Sequence, residues 1–475
     1  MLVQKTPTRV KARLVVQDVN RGDWQDVFSP TPTSVGQRFI LWLAARMGWG
    51  LRTADISTAF LHATLPAGAV VAVRPPLEAQ TDGKVWLLKR ALYGLRKAPQ
   101  YFSEHLAKCL GERGFVRLAA DPQMYYHKES GAVLSAHVDD LLLAVSDAQR
   151  EKVCALLTEP FVMKWGADIT QQEWTTFLGR EWRRTETGML TRPHVGYLEK
   201  LVDEFGLLQA RRVTTPFAGQ NEMNVTDAEI PLEQKRVHDY HRAIGKLMWV
   251  LQERPDLSYA VKELARHVQA PLERHWAGLK RLLRYVSSTL DSELVLEVDP
   301  KLPDGEIHVV CDASWASGEG RRSTSGGTIW IQGCLLQHWA RTQPIVALSS
   351  CESELVAMNV AVMEAKLVQS ISQEVGIPQK LHLHADSTAG LAVVSKRGPG
   401  RLRHLEVKQF WLQDEVRAGR LHLYHIDGAD NVADMLTKPL AGTRFVRLCS
   451  LIGIRKMSGD APETDADETS AVGAV

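Results

Sequence analysis

Two adjacent carboxylates, Asp139 and Asp140, stand in the segment GAVLSAHVDDLLLAVSD between the apolar runs AVLSA and LLLAV. Like charges this close to a core are costly unless a cation offsets them, because each disfavours ionisation of the other. A tight hairpin turn with no further duty would favour Asn-Gly or Asp-Gly. A third acid, Asp55, ends an apolar approach in LRTADISTAFL, with Phe60 five residues on. Alone, such an Asp is more often a cap. Together, the three carboxylates suit two Mg²⁺ ions about 3.5–4 Å apart, the geometry of nucleotidyl transfer.

A second set lies in the last third of the chain. Asp312 ends the strand-like EIHVVCD, Glu354 lies on a helix beginning at Ser350, Asp386 ends LHLHAD, and Asp434 sits in DNVADMLTK. Two acids at strand ends, one on a helix and one near the C-terminus suit a four-carboxylate, two-metal hydrolase. Ser349-Ser350-Cys351-Glu352 has the spacing of a capping box, so Glu352 is expected to satisfy backbone N–H groups at the helix start. His382 and His384 share one strand face and are chemically able to ligate a metal, but beside a core strand they read as exposed polar positions. Lys89, Arg90, Arg96 and Lys97 surround Tyr93, a basic face with a stacking surface suited to nucleic acid. Lys280, Arg281 and Arg284 in HWAGLKRLLRYV either track a duplex backbone or coat an amphipathic surface helix.

These residues need elements to hold them. The HVDD segment reads as strand–turn–strand, and GAVVAVRPP as a strand stopped by two prolines. An apolar helical pattern runs from about Ser34 to Met47, and ALYGLRKAPQYFSEHLAKCLGERG leads into an amphipathic helix closed by Gly114. Residues 149–235 mix helix and hairpin patterns. Helices between His238 and Leu290 are separated at Pro255 and Pro271. A new unit begins near Pro303 with strands EIHVVCDASW, GGTIWIQG and LLQHWA, a helix from Ser350, the strand LHLHAD and a further helix.

With 475 residues, 45% hydrophobic and 24% charged, the composition is globular and allows two or three domains. Fully disordered and collagenous classes are excluded. The six cysteines (109, 154, 311, 334, 351 and 449) form no CxxC pair, which speaks against a zinc ribbon or a disulfide framework and for a reducing setting. No signal peptide and no apolar run of about 20 residues is apparent, so no membrane partner is expected. The net charge of +2 divides into −4 over the last twenty residues, expected to be disordered from 456, and +6 over the remainder. That mild basic excess is compatible with nucleic-acid contact.

The series Asp55-x-x-x-Ala-Phe-Leu, ALYGLRKAPQ, HVDD and FLGREW, with KARLV and FSP ahead of it, resembles the successive blocks of copia-type LTR retrotransposon reverse transcriptases over residues 11–180. CDASW, RRSTSGG, ALSSCESEL, HADS and NVADMLTKPL resemble the ribonuclease H domain that follows the polymerase in the same polyproteins, over residues 303–440. The resemblance implies an α/β (α+β) architecture. A fingers–palm–thumb unit would occupy 1–215, a helical thumb or connection 216–302, and a mixed five-stranded ribonuclease H-like domain 303–442, before a tail at 443–475. It implies Asp55, Asp139 and Asp140 as palm metal ligands and Phe60 as the steric gate against a ribose 2′-hydroxyl. Gly94 and Lys97 would line the nucleotide and template side, and Lys11 and Arg13 would face the triphosphate. Asp312, Glu354, Asp386 and Asp434 would be the ribonuclease H ligands, with Glu354 preferred over Glu352, and His404 would lie near the nucleic-acid face. Mg²⁺ would be the cofactor, two ions per active site, with Mn²⁺ as an alternative. The partners implied are an RNA template, a DNA primer, RNA–DNA hybrid and dNTPs, in an intracellular, cytoplasmic particle with nuclear access. The chain departs from the family in starting ten residues before Lys11, which implies truncated fingers, in His137 for the usual Tyr and in Thr58 for a common Asn. No metal ligand is lost. The readings carried forward are a polymerase joined to a ribonuclease H, a chain retaining only the nuclease, and a relic that only binds nucleic acid.

Overall fold

A computed structural model describes residues 2–6, 9–19, 26–80, 83–217, 229–317, 319–398 and 411–456. His404 and the acidic stretch after Lys456 lie outside these residues. The chain divides into two compact units, Met1–Asp168 and Ile169–Val475.

The first unit is built on a six-stranded sheet in the order Met163–Asp168, Gly50–Ile56, Asp140–Val145, Val133–His137, Met124–His127 and Phe115–Arg117. Every pairing is antiparallel. The run Leu141–Val145 is buried at each residue, because alternate side chains enter different layers. Leu141, Leu143 and Val145 pack with Phe102, Leu106 and Leu110 of the helix Ala98–Gly111. The helix Ser34–Met47 packs on the sheet as well, and its limits match the apolar pattern. Thr33 Oγ1 caps it by accepting from Gly36 N at 2.9 Å, and Gly48 ends it in the left-handed conformation. The strand expected in GAVVAVRPP is reduced to Ala72–Val73, paired with Trp86–Leu87. Pro75 and Pro76 follow at once and donate no ladder hydrogen bonds.

The second unit contains two five-stranded sheets. One is antiparallel, in the order Thr175–Phe177, Arg180–Arg184, Gly188–Pro193, Ser292–Glu297 and Ile454–Lys456, so residues far apart in the chain share one sheet. Helices Gln234–Trp249, Ser258–Ala265 and Glu273–Ser287 lie between its third and fourth strands, with breaks where Pro255 and Pro271 stand. Of the basic residues on the last of these helices, Arg281 donates to Thr215 Oγ1 at 2.9 Å and so serves the fold.

The other sheet runs Cys334–Thr342, Thr324–Ile331, Glu306–Ser314, Lys380–Ala385 and Leu421–His425. The first three strands are antiparallel and the last two join in parallel. The helix Ser350–Glu374 packs on it. Among the described residues this is the one helix long and apolar enough to cross a membrane, and Leu355, Met358, Val362 and Ala365 are buried within the unit. Ile307, Val309 and Cys311 with Leu381, Leu383 and Ala385 form a fully buried face. The opposite face carries Glu306, His308 and Asp312 beside His382 and His384.

Candidate active sites

In the first unit, His137 pairs with Asp140, leaving Val138 and Asp139 as a two-residue turn. Val138 has φ 57°, a conformation costly for a β-branched residue. The Asp139 carbonyl accepts from Ile56 N at 2.8 Å, which ties the hairpin tip to the strand bearing Asp55. Asp55 and Asp140 are register partners, so their side chains leave the same face of the sheet. Burial raises the Asp140 pKa, Asp139 and Asp55 raise it further, and His137 opposes them.

Phe60 sits in the short turn of helix Ala59–His62, entered through Thr58 at φ 57°. Its ring lies 4.9 Å from Tyr93, whose ring centroid is 5.3 Å from the Arg13 guanidinium carbon. Burial raises the Tyr93 pKa. Asp139 and Asp55 raise it too and Arg13 lowers it, so the phenol and both acids share one neighbourhood. Gly94, at φ +87°, lets residues 93–94 meet residues 15–16: Val16 N donates to Tyr93 O at 2.8 Å, and a Cβ on Gly94 would lie 2.0 Å from Val16 O. Lys97 precedes the helix Ala98–Gly111 without a side-chain cap, and its carbonyl accepts from Tyr101 N. Lys11 lies in the strand Arg9–Ala12, opposite Val3. The motif residues Asp55, Phe60, Tyr93, Asp139 and Asp140 are therefore gathered at one end of the sheet.

In the second unit, strand, helix and loop converge as the spacing suggested. Cys311 pairs with Ala385 in parallel register, which sets Asp312 beside Asp386. Asp434 opens the short helix Asp434–Thr437. One carboxylate oxygen from each of Asp312, Asp386 and Asp434 lies within 4.8 Å of the others. Asp55, Asp139 and Asp140 do not form such a group among the described residues. Asp312 is 2% exposed, Asp434 1% and Glu354 9%. Burial, then Asp312 and Asp386, push the Glu354 pKa up to about 9, and its Oε2 is buried with no hydrogen-bond partner. Burial likewise raises the Asp312 and Asp386 pKa values. An acidic pocket with an orphaned carboxylate oxygen fits hard divalent cations, which take oxygen ligands. Glu352 does what a cap does: its N–H donates to Ser349 Oγ at 3.1 Å and its carboxylate accepts from Leu348 N at 2.7 Å.

Sequence reasoning did not single out several residues at this site. Lys438 Nζ lies 2.6 Å from Asp434 Oδ1 and 3.5 Å from Asp312 Oδ2, Thr437 Oγ1 donates to Asp312, and Arg444 pairs with Asp434. Lys438 and Thr437 stood in the motif NVADMLTKPL, where a cation four residues after an acid was a readable signal. The reading of His382 and His384 as exposed is corrected: they are 6% and 8% exposed. His308 and Tyr424 on the flanking strands crowd them laterally.

Residues 3–219 match the reverse transcriptase (RNA-dependent DNA polymerase) family. The chain is 28% identical over 467 residues to the Retrovirus-related Pol polyprotein from transposon RE1 of Arabidopsis thaliana, covering 94% of this chain and 31% of that protein. It is 28% identical over 465 residues to the corresponding polyprotein from transposon TNT 1-94 of Nicotiana tabacum, covering 94% and 34%. It thus spans about a third of the length of these relatives. In fold it is similar to the foamy viral protease-reverse transcriptase solved in complex with RNA/DNA hybrid, with a TM-score of 0.50 at 12% identity over 87% of this chain and 48% of that one. Residue pattern, fold and relatives agree: residues 3–219 match the reverse transcriptase family, and the chain as a whole is similar to a stretch of copia-type retrotransposon Pol polyproteins.

Proposed function

We propose that the chain is an RNA-directed DNA polymerase joined to a ribonuclease H, with the polymerase within 1–215, a connection at 216–302 and the nuclease within 303–442. The observation that carries the reading is the convergence of Asp312, Asp386 and Asp434 within 4.8 Å, beside an orphaned Glu354 oxygen. Asp55, Asp139 and Asp140 would hold divalent cations in the first unit, and Asp312, Glu354, Asp386 and Asp434 in the second, Mg²⁺ with Mn²⁺ as the alternative. When bound, such ions supply a Lewis acid for the attacking and leaving oxygens of an in-line displacement.

The remaining work falls to the chain itself. Phe60, held against Tyr93, would exclude a ribose 2′-hydroxyl and so select dNTPs. Arg13 and Lys11 would meet the triphosphate, while Gly94 and Lys97 would border template and primer. In the nuclease, Lys438 holds Asp312 and Asp434 in place. Recognition of an RNA–DNA hybrid would use the 2′-hydroxyls of the RNA strand.

A second reading, a nuclease with an inactive polymerase site, is favoured by the looser grouping of Asp55, Asp139 and Asp140. Primer extension on an RNA template and cleavage of an RNA–DNA hybrid, run in parallel with Mg²⁺ and with Mn²⁺, separate the two. Both activities are expected. Cleavage without extension would favour the second reading, and neither would leave a binding relic.

A further inference from the structure

The two parallel strands that present Asp312 and Asp386 carry a second constellation about four residues earlier, roughly 13 Å along the strand. His308 and His382 are register partners, and Glu306 stands two residues before His308 on the same face. A carboxylate oxygen of Glu306 and one imidazole nitrogen from each histidine lie within 4.8 Å of one another. His308 Nε2 is 3.2 Å from Glu306 Oε2 and His382 Nε2 is 3.8 Å from Glu306 Oε1. A tetrahedral zinc with bonds of about 2.1 Å needs its ligand atoms about 3.4 Å apart, and the two separations from the Glu306 carboxylate lie on either side of that spacing. His382 is 6% exposed, and its Nε2 is buried with no hydrogen-bond partner. A buried ring nitrogen aimed at a carboxylate and left unbonded wants an explanation.

The outer nitrogens complete the pattern. His382 Nδ1 is 3.2 Å from Tyr424 Oη, and His308 Nδ1 is 3.0 Å from His384 Nε2. Both Nδ1 atoms have outer partners that can accept their protons, which would free both Nε2 atoms for a metal beside Glu306, the arrangement that outer partners impose on metal-binding histidines.

We propose that Glu306, His308 and His382 form a zinc-class transition-metal site, with the fourth position open to water, that clamps the two strands carrying Asp312 and Asp386. The site shares no residue with either acidic constellation, and its presence does not depend on the polymerase or nuclease reading. His384 and Tyr424 are positioning residues.

The test is titration of Zn²⁺, and of Co²⁺ read by its visible absorption, into the full-length chain. Glu306→Gln, His308→Gln, His382→Gln and Tyr424→Phe are titrated alongside. Zinc is expected to bind with nitrogen ligation and to raise the melting temperature. His308→Gln and His382→Gln should each weaken it at least 100-fold, and Tyr424→Phe about 10-fold or more. Unchanged zinc affinity and stoichiometry in both histidine variants would overturn the site. If either variant fails to fold, ¹⁵N-histidine spectra of the unsubstituted chain decide. Zinc-induced shifts at Nε2 of His308 and His382 support the proposal, whereas shifts confined to other histidines, or none, overturn it.

Discussion

Asp55 and Asp140 face one another directly across the strands Gly50–Ile56 and Asp140–Val145. Directly opposed like charges weaken a strand pair, with Cβ atoms only about 5 Å apart. Burial of Asp140 makes the repulsion harder to screen. The core-facing residues around them, Ala54, Ile56, Leu141 and Leu143, are by contrast well packed. The sheet therefore accepts a local electrostatic cost at the end where Asp139, Tyr93 and Phe60 gather. A bound divalent cation would remove that cost.

Asp139→Asn is expected to abolish primer extension and leave hybrid cleavage intact. The two carboxylate sets belong to separate compact units and share no residue. Loss of both activities in a variant whose circular dichroism matches the parent would refute the separation.

Gly94→Ala tests the meeting of residues 15–16 with 93–94. The new Cβ would clash with Val16 O and with Val15 Cγ1, 2.6 Å away, at a φ that L-residues avoid. Destabilisation of at least about 2 kcal/mol is expected in urea unfolding. A change under about 0.5 kcal/mol would show that this close approach does not hold in solution.

Much of this was legible in the residues. The helix Ser34–Met47, the HVDD hairpin and the strands carrying Asp312 and Asp386 were visible because period and burial coincide there. The capping role of Glu352 was visible because a capping box is local. What escaped depends on distant pairing. The antiparallel sheet that joins Gly188–Pro193, Ser292–Glu297 and Ile454–Lys456 leaves no mark on any one segment. The burial of His382 and His384 follows from neighbours on Glu306–Ser314 and Leu421–His425, not from their own alternation. The same holds for Glu306 and His308, which gain meaning only once His382 lies beside them.

Lys438→Met separates two roles of one cation. Its ammonium offsets Asp434 and Asp312 and also opposes any divalent ion entering the same pocket. Without added metal the variant should be about 1 kcal/mol less stable, a modest figure because Lys438 is partly exposed. Its Mn²⁺ affinity, measured by calorimetry, should be higher than the parent's. A weaker Mn²⁺ site would mean that Lys438 chiefly orients the carboxylates.

Glu354 gives the sharpest test, because its behaviour has a sign. Its carboxyl titrates at about 9 when folded, against an ordinary value of 4.5, so between those pH values the folded state holds a proton that the unfolded state has released. Stability of the metal-stripped protein must then fall as pH rises from about 5 to about 9. Glu354→Gln removes its share of that slope and leaves what Asp312 and Asp386 contribute. At pH 8 without metal it should be more stable than the parent by at least about 1.4 kcal/mol, the equivalent of a single pKa unit. Mg²⁺ should stabilise the parent more than the variant, and hybrid cleavage should be lost in the variant. Glu352→Gln should behave in the opposite way, costing about 1 kcal/mol of helix stability at all these pH values while cleavage survives, because its carboxylate serves Leu348 N and not the acidic pocket. If Glu352→Gln stops cleavage in a folded protein and Glu354→Gln does not, the two roles are exchanged. If neither change matters, the nuclease assignment fails.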